Sequence, residues 1–448
     1  MIDNNFQIQH LLSKKDLDLI HNNTVKLLEN QGIEIDNKKA LSVFKQNGIK
    51  VKDKKVYISE QKLEELIAQI PSSFELKARN QKNNLEIGNS KSILGPPLGP
   101  PFIYKKEDKE YGTYDDYNQL MKYYHLNQYI DLVGGDIIAT TDLDENIRHK
   151  KMFYSAVKYS DKALIGTGSG NSETKEILEM AKTLFGENEF NNNNYVLKLV
   201  GASSPLEYNN TALNTLINWA KAGQPVSVYA QTMSGMTGPN SLAGVLTLQN
   251  AEILLGAVLV QLINSKTPVI YSSTSSVTDM KSGDITVGNS QYTKIIAAVA
   301  EIADYYNMPS LVAGGITDSE QTDNQAGYET MLNMHTAVGS GVDIIIYAAG
   351  SIADYMGVSY KKIIQDTNIL KNIENYQNGI EVNEDSIAQD VVKEVGIGGN
   401  FMTHPHTMES LEKRLGKKIS TENNVLSNYQ QPKINNNLDK KLKTMSNK

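Results

Sequence analysis

The sequence predicts an α/β protein, a (β/α)8 TIM barrel preceded by an N-terminal α+β accessory region. Apolar runs of about 4–8 residues alternate with helical patterns at intervals of roughly 30–40 residues, as is typical of βαβ units in a parallel sheet. The chain has 448 residues, of which 40% are hydrophobic, enough to bury the core of one large barrel. It lacks the GxGxxG fingerprint of dinucleotide-binding sheets. We therefore expect a closed barrel rather than an open, doubly wound sheet.

The chain is predicted to divide into three segments. Residues 1–90 form the α+β accessory region, and residues 91–415, which carry the repeating units, form the barrel. Residues 416–448 are rich in Lys and Asn, and we expect a C-terminal tail of which Lys433–Lys448 is loosely ordered. Within the first segment the patterns predict helices at Lys14–Gln31, Asn37–Asn47 and Ser59–Ala68, and strands at Lys55–Ile58 and Phe74–Ala78.

Seven barrel strands are predicted from the apolar runs, and an eighth is expected around Asp366–Ile380, where the pattern is poorer. The helical patterns between them are clearest at Ser241–Asn264, Tyr292–Asn307 and Ala326–Val338. The seven predicted strands are Ile130–Ile138, Ala163–Gly168, Tyr195–Ala202, Val226–Gln231, Val269–Ser273, Ser310–Ala313 and Val342–Ala348.

The composition excludes several classes of function. Without cysteine the chain has no disulfide, iron–sulfur cluster, thiolate zinc site or cysteine nucleophile. A formal net charge of -7 argues against nonspecific binding to nucleic acid. No uninterrupted apolar run approaches the roughly 20 residues that a bilayer span needs, and the first residues lack the basic and apolar parts of a secretory signal. We expect a cytoplasmic protein that binds no membrane.

Three features have plain structural interpretations. Arginine is scarce while Lys and Asn are abundant, which we interpret as codon bias, so a single lysine is given little functional weight. Gly166–Gly170 is glycine-rich but lacks the GK[ST] of a phosphate loop, and we interpret it as a rim loop after a strand. His404 and His406 usually would point in different directions and have no third ligand nearby in the sequence, so we expect a rim or packing role and no metal site.

The stretch most indicative of a functional site is Pro309–Gln325. Its strand, Ser310–Ala313, breaks at two glycines into a polar run that leads into a helix. In a (β/α)8 barrel the carboxyl ends of the strands form the active-site rim. Asp318, in the polar run, is therefore a candidate catalytic residue, and Tyr229 and Tyr347 near other strand ends are candidate site residues.

Several short motifs recur together along the chain. They are Gly95–Tyr104, Ser241–Gly244, Gln249–Glu252, Pro268–Tyr271, Gly314–Asp318, Asp323–Glu329, Gly398–Phe401 and His404–Thr407. The set resembles the trimethylamine methyltransferase superfamily of corrinoid-dependent enzymes, and it covers nearly the whole chain in the family's order. The resemblance implies a (β/α)8 barrel, in agreement with the spacing of the strands.

The resemblance also implies a branch of this family. In the trimethylamine enzymes a pyrrolysine is expected at the end of the sixth strand, and the resemblance places that position at Ile316. With an aliphatic residue at this position, the chain resembles the non-pyrrolysine branch of the family. Members of that branch demethylate quaternary amines such as glycine betaine, proline betaine or carnitine. The implied function is transfer of a methyl group from a glycine betaine-like quaternary amine to the Co(I) of a corrinoid protein.

The chemistry of a quaternary amine suggests which side chains bind it. Aromatic faces hold a desolvated cation with about 0.5–2 kcal/mol each, and Asp318 is a charge partner at the rim. A substrate carboxylate would need backbone N–H groups, a helix amino terminus, His404 or His406. The predicted substrate-binding residues are Phe102, Tyr104, Tyr229, Gln231, Tyr347, His404 and His406, with Asp318 and Ile316 assigned to catalysis.

The partners follow from the same resemblance. The cobalamin-binding signature DxHxxG is absent from the sequence, so the corrinoid is expected on a separate protein, with none bound by this chain alone. A homo-oligomer is expected. Two other functions stay open: a barrel that binds a betaine without turning it over, as a sensor or vestigial paralogue, and a lyase or aldolase with a Schiff-base lysine. The lyase is disfavoured because none of the seven predicted strands ends in Lys.

Overall fold

The centre of the structure is a barrel of parallel strands. The computed structural model describes residues 1–3, 10–105, 108–414 and 426–448. Within them, eight parallel strands are hydrogen-bonded in chain order, and the eighth pairs in parallel with the first. The predicted fold class, a (β/α)8 barrel, is confirmed. The strands are β1 Lys91–Leu94, β2 Leu132–Gly134, β3 Ala163–Ile165, β4 Val196–Gly201, β5 Val226–Ala230, β6 Val269–Ser273, β7 Ser310–Ala313 and β8 Ile344–Ile346.

The seam between β1 and β2 is nearly closed. The carbonyl oxygen of Leu94 accepts a 2.8 Å hydrogen bond from the backbone N–H of Asp131. The Asp131 carboxylate in turn accepts from the backbone N–H of Leu94, at 3.0 Å. The chain's second and third residues extend the sheet beside β1, with Ile2 opposite Ser92 in antiparallel register.

The predicted eighth strand was wrong. Residues 366–377 of the Asp366–Ile380 stretch belong to the helix Tyr360–Gln377, in which Lys362 and Asp366 form a fully buried ion pair one turn apart. The strand missing from the prediction is β1. It has four residues and runs into the proline-rich loop, so it is too short to show a periodic pattern of apolar residues. Counting from β1, Ile316 follows the seventh strand and not the sixth.

A helix follows each strand. Seven of the eight begin after a Ser, Thr, Asp or Asn whose side chain accepts a hydrogen bond from a backbone N–H of the first turn. Such N-caps fix where a helix starts and therefore how the preceding loop is held at the barrel mouth. The helices are α1 Tyr114–Leu126, α2 Glu145–Tyr159, α3 Ser172–Phe185, α4 Asn210–Lys221, α5 Leu242–Ile263, α6 Ser290–Tyr305, α7 Asn324–Gly339 and α8 Tyr360–Gln377.

Helix α5 is buried on nearly all sides because the N-terminal region covers it. The N-terminal helices Lys14–Lys26, Lys38–Gln46 and Glu60–Ile67 pack on its outer face, while β5 and β6 pack on its inner face. In the part of the chain that the structure describes, α5 is the one helix long and apolar enough to cross a bilayer. Most of it is buried inside the protein, as in a core helix.

Strands of the N-terminal region also pair with the segments just before and just after β4, with Leu76 opposite Asn194 on the near side. Ile33–Ile35 pairs in parallel with Glu207–Tyr208, which follows β4, and antiparallel with Lys55–Tyr57. The remaining short strands of the region are Lys50–Lys52, Phe74–Leu76 and Leu85–Ile87. The predicted helices and strands of this region occur where the patterns placed them, and its boundary at residue 90 stays a prediction.

Two small sheets border the barrel mouth. One orders Ser351–Ile352, Gly357–Ser359, Phe102–Lys105 and Asp108–Tyr111 side by side, and the other joins Met233–Ser234, Ser276–Thr278 and Ile285–Thr286. All these strands belong to loops that follow β1, β5, β6 or β8, so they lie at the carboxyl edge of the barrel. These sheets hold the long rim loops in place.

The C-terminal part contains more regular structure than the sequence predicts. Asn436–Ser446 forms a helix that packs on α2 and α3 with Leu442 fully buried, so the expectation of a loosely ordered end was wrong. Residues 416–425 of the predicted tail lie outside the described residues. Three short helices after α8 are Glu384–Ile387, Gln389–Val395 and Pro405–Arg414.

Candidate active site

A cavity of about 370 Å³ opens at the carboxyl ends of the barrel strands. This edge is where the active sites of (β/α)8 enzymes lie. Its charged lining residues are one carboxylate, Asp136, and one ammonium, Lys198. Its aromatic lining residues are Tyr229, Tyr347 and Tyr355. The other lining residues are Leu98, Gly99, Pro101, Gly135, Ile165, Gly166, Ser169, Leu199, Gln231, Thr274, Ile346 and Met356.

The aromatic wall is held by hydrogen bonds at its hydroxyl ends. The Tyr347 hydroxyl donates to the carbonyl oxygen of Leu98, in the proline-rich loop after β1. The Tyr355 hydroxyl lies 3.2 Å from that of Tyr292, which donates to the carbonyl oxygen of Ala313. With both hydroxyls hydrogen-bonded to the protein, the two rings are held in fixed positions in the cavity wall.

The loop that carries Tyr355 has an unusual backbone. Ala353, Asp354 and Tyr355 have φ values of 55°, 50° and 74°, and Tyr347 has 57°. The left-handed region is costly for residues with side chains, and such residues concentrate at functional sites. The loop after β7 holds the strained turn, because the N–H groups of Ala353 and Asp354 donate to the carbonyl oxygens of Ser319 and Thr317.

Lys198 is buried in the barrel wall, 5% exposed, on β4. Its ammonium donates to the carbonyl oxygen of Gly166 at 3.1 Å, and no carboxylate of the described residues lies within 4.0 Å of it. Burial lowers the pKa of Lys198, while the nearby Asp136 and Glu173 raise it. The pKa of Asp136 is raised by burial and lowered by Lys198. The cavity therefore contains two opposite charges that are not in direct contact.

Asp318 connects three rim loops. Its carboxylate accepts hydrogen bonds from the backbone N–H groups of Val287 and Gly288, at 2.5 and 2.9 Å. Burial and a hydrogen bond with Asp318 raise the pKa of Asp354 to about 8. The raised pKa favours a proton on Asp354, and a proton between Asp354 and Asp318 relieves the repulsion of two neighbouring carboxylates.

The predicted substrate-binding residues divide into two groups. Tyr229, Gln231 and Tyr347 line the cavity. Phe102 and Tyr104 lie beside it, in the strand after the proline-rich loop, and are absent from its lining. The Phe102 ring packs against the Tyr111 ring and under the Lys109 ammonium, 4.9 and 4.3 Å away, so its faces contact the chain itself. Tyr104 packs against Ile352 and Ala353.

The remaining predicted residues do not line the cavity. Ile316 is fully buried in the hydrophobic core. Asp318 is a positioning residue, through its contacts with the rim loops. His404 lies 3.2 Å from Glu394 and His406 donates its backbone N–H to His404, both in the segment after α8. The roles assigned to these residues stay predictions.

Sequence reasoning missed Lys198, Asp136 and Tyr355. Lys198 had a signal, since it is the one charged residue of an apolar strand, but lysines were discounted for their abundance. Asp136 follows a strand ending in two glycines, the same pattern that drew attention to Asp318. The glycine-rich stretch Gly166–Gly170 is a rim loop as predicted, with Gly166 and Ser169 in the cavity lining.

One group of possible metal ligands occurs among the described residues, and it lies away from the cavity. The ligand atoms of His21, Glu60 and Glu64 lie within 4.8 Å of one another on the N-terminal helices. His21 is also 3.0 Å from the Tyr306 hydroxyl, so its ring already has a partner. None of these three residues lines the cavity.

The fold and the cavity together define a (β/α)8 barrel with a concave site and a few polar groups at the edge where such barrels bind substrates. The family model for trimethylamine methyltransferase (MTTB) matches residues 1–417. The chain belongs to the trimethylamine methyltransferase family, and the resemblance drawn from the motifs is confirmed.

Curated relatives cover most of the chain. A glycine betaine methyltransferase of Desulfitobacterium hafniense (strain Y51) is 36% identical, over 97% of this chain and 95% of its own length. A trimethylamine methyltransferase of another strain of that species is 31% identical, over 91% and 83%. A proline betaine:corrinoid methyltransferase of Eubacterium limosum is 27% identical, over 88% and 83%.

A solved structure has the same fold. The hydroxylamine complex of MtmB matches with a TM-score of 0.50 and 10% sequence identity, over 99% of this chain and 96% of that chain. At this identity the likeness shows the fold alone.

Proposed function

We propose that this protein transfers a methyl group from a glycine betaine-like quaternary amine to the Co(I) of a separate corrinoid protein. The observation that carries the proposal is the cavity, in which tyrosine rings and one carboxylate surround a space of about 370 Å³. Such a lining suits a quaternary ammonium, which aromatic faces and a carboxylate hold without a hydrogen bond. The names of two relatives, a glycine betaine methyltransferase and a proline betaine:corrinoid methyltransferase, support the same substrate class.

The chemistry asks little of the protein beyond positioning. The bond between nitrogen and the methyl carbon breaks, and its electron pair stays on nitrogen, so the leaving group is a neutral tertiary amine. The methyl carbon forms its new bond with the electron pair of Co(I). No proton moves. The cavity residues therefore orient one N-methyl group toward the mouth and exclude water, and neither task requires an acid or base.

The corrinoid is best treated as a second substrate that approaches the mouth. In the described residues no histidine lines the cavity, and the sequence lacks DxHxxG, so the lining offers no axial ligand for cobalt. Purified chain should show no corrinoid absorbance, and it should demethylate glycine betaine only when a reduced corrinoid protein is added as the methyl acceptor. Copurification of a stoichiometric corrinoid would contradict this part of the proposal.

The experiment for the function measures loss of one methyl group. Purified protein, glycine betaine and a reduced corrinoid protein should yield dimethylglycine and a methylated corrinoid in equal amounts. A non-catalytic betaine sensor would bind glycine betaine, as measured by calorimetry, and yield no dimethylglycine. Binding without turnover would therefore favour the sensor and reject the enzyme.

Lys198 is also the residue on which a Schiff-base lyase would depend, because it is the one lysine among the described residues that line the cavity. Family membership favours methyl transfer, since the relatives reported above are named methyltransferases. Borohydride with a range of small ketoacids should leave the mass of the protein unchanged. A covalent adduct at Lys198 would instead support the Schiff-base lyase as the function.

A cytoplasmic homo-oligomer completes the proposal. Residues 378–409 contain no buried side chain, although they form helices and expose apolar residues such as Ile387 and Val392. The segment leaves α8 at the barrel edge opposite the mouth, where Glu374 accepts a 2.7 Å hydrogen bond from Tyr129, just before β2. A corrinoid protein must approach the mouth, so a second copy of this chain is the occupant that fits.

The oligomer can be tested by light scattering. Val392→Asp should lower the mass in solution to that of one chain, 49.6 kDa, because a charge replaces an interface side chain. Leu19→Asp, at an exposed position of an N-terminal helix, is the matched control and should leave the mass unchanged. A wild-type protein of one chain would reject the proposed oligomer.

A further inference from the structure

The charges in the cavity are balanced but separated. Asp136 and Lys198 are the two ionisable lining residues besides the tyrosines, and among the described residues neither has an ion-pair partner within 4.0 Å. Charges taken out of water are costly unless paired. A ligand that brings one positive and one negative group could pair both at once.

The Lys198 ammonium has unused hydrogen-bond donors. It has three N–H groups, and in the described part of the chain one of them is used, by the carbonyl oxygen of Gly166. The side chain is buried in the barrel wall beside the cavity, and its other N–H groups have no acceptor among the described residues. A carboxylate placed in the cavity would accept from it in charge-assisted bonds.

The Asp136 carboxylate accepts no hydrogen bond from the described residues, although burial makes its charge costly. Tyr229 is close enough for Asp136 to raise its pKa further after burial has done so. A trimethylammonium group has no N–H to donate, and it is best held by a bare carboxylate beside an aromatic face.

The two charges lie along one arc of the mouth. Asp136 follows β2, Gly166 follows β3, Lys198 is on β4 and Tyr229 is on β5, and these four strands are consecutive neighbours in the barrel. A small ligand in the cavity therefore reaches the carboxylate and the ammonium from the same position.

Resting on the proposed function, we infer that Lys198 and Asp136 make this site specific for zwitterions that carry a trimethylammonium group and a carboxylate, against quaternary cations that lack the carboxylate. Lys198 binds the substrate carboxylate, and Asp136 with Tyr229 binds the trimethylammonium end. A bare cation would leave Lys198 buried, unpaired and repelled, so the same lysine favours one class and rejects the other.

The test compares glycine betaine with choline, which has the same trimethylammonium group and a hydroxymethyl in place of the carboxylate. Calorimetry on the full chain should show wild type binding glycine betaine at least tenfold more tightly than choline. Lys198→Met should weaken glycine betaine at least tenfold while leaving choline binding unchanged or tighter, and Lys198→Arg should keep part of the preference for glycine betaine. Lys54→Met, which removes an exposed lysine, is the charge-matched control.

A second variant keeps the test decisive if Lys198→Met does not fold. Asp136→Asn should weaken both ligands several-fold, since both carry the cationic end, with Asp390→Asn as an exposed control. An unchanged ratio of the two affinities in Lys198→Met, or undiminished binding of both ligands in Asp136→Asn, would overturn the inference while leaving methyl transfer from glycine betaine intact. Wild type that demethylates no quaternary amine would instead reject the proposed function, whatever the binding ratio.

Discussion

The rings of Tyr347 and Tyr355 meet edge to face, with centroids 5.0 Å apart and planes at 78°. This arrangement is favourable for aromatic pairs. The two residues come from the end of β8 and the strained loop after it, so the contact joins two rim segments into one wall of the cavity. Each hydroxyl is also hydrogen-bonded, to Leu98 and Tyr292. The wall is therefore preorganised before a ligand arrives.

The tyrosines should differ in what their hydroxyls contribute. Tyr229→Ala should weaken binding of tetramethylammonium by about 0.5–2 kcal/mol, or up to roughly thirtyfold, because a ring face is lost. Tyr229→Phe should cost much less, since the Tyr229 hydroxyl has no hydrogen bond with a described residue. Calorimetry measures both, and equal losses for the Phe and Ala variants would remove the ring-face interpretation.

Tyr347→Phe should cost more than Tyr229→Phe. The Tyr347 hydroxyl donates to Leu98 in the proline-rich loop, and its loss removes one of the hydrogen bonds that anchor that loop. We expect faster proteolysis near residues 95–101 in Tyr347→Phe than in Tyr229→Phe, measured by limited digestion and mass spectrometry. Equal protection of the loop in both variants would show that the bond does not hold it.

Trimethylamine should be a poor substrate. Its nitrogen has no fourth substituent, so the leaving group would be an unactivated amine anion unless an electrophile or proton assisted, and Ile316 supplies neither. Product analysis with a reduced corrinoid protein should show demethylation of glycine betaine and little of trimethylamine. Robust turnover of trimethylamine would refute the assignment to the non-pyrrolysine branch.

Asp354 should make the stability of the protein fall with rising pH. Its pKa is raised from 3.8 to about 8 in the folded protein, so between those values the folded state binds more protons than the unfolded state. Stability is therefore lost as the pH rises through this window. Asp354→Asn should flatten the pH dependence of urea unfolding from pH 4 to 8, whereas exposed Asp390→Asn should not. An unchanged slope in Asp354→Asn would contradict the raised pKa.

The Lys362–Asp366 pair should be essential to the fold of the barrel wall. Both side chains are fully buried, and Lys362 also donates to the Thr330 hydroxyl at 2.7 Å. Lys362→Met should destabilise the protein by roughly 3–5 kcal/mol, because it leaves a buried carboxylate unpaired. Lys393→Met removes one partner of an exposed pair and should cost less than about 1 kcal/mol.

The same pair offers an internal check. Adding Asp366→Asn to Lys362→Met should recover much of the lost stability, since the buried charge is then removed while the hydrogen bond from the Gly350 N–H is kept. Urea unfolding measures all three variants. A double variant less stable than Lys362→Met alone would show that the loss comes from packing and not from charge.

The sequence by itself determined the class of fold. Seven of the eight strands were found, because buried parallel strands are continuous apolar runs and their period is visible locally. The same holds for the N-terminal helices, whose amphipathic patterns face α5. The motifs also determined the family. The fold class and the family depend on patterns among residues that are close in the sequence, so both can be predicted from a single sequence.

Only the tertiary structure decided which side chains share the cavity. Phe102 and Tyr104 were expected beside Tyr229. Instead, Phe102 packs against Tyr111, and Tyr104 packs against Ile352 and Ala353, at the rim. Asp136 and Lys198 are 62 positions apart in the sequence and come together because β2, β3 and β4 are neighbours in a closed sheet. Whether a lysine is exposed or buried depends on the residues that pack around it. A local sequence pattern does not contain this information, so the charged pair of the cavity could be identified only from the folded barrel.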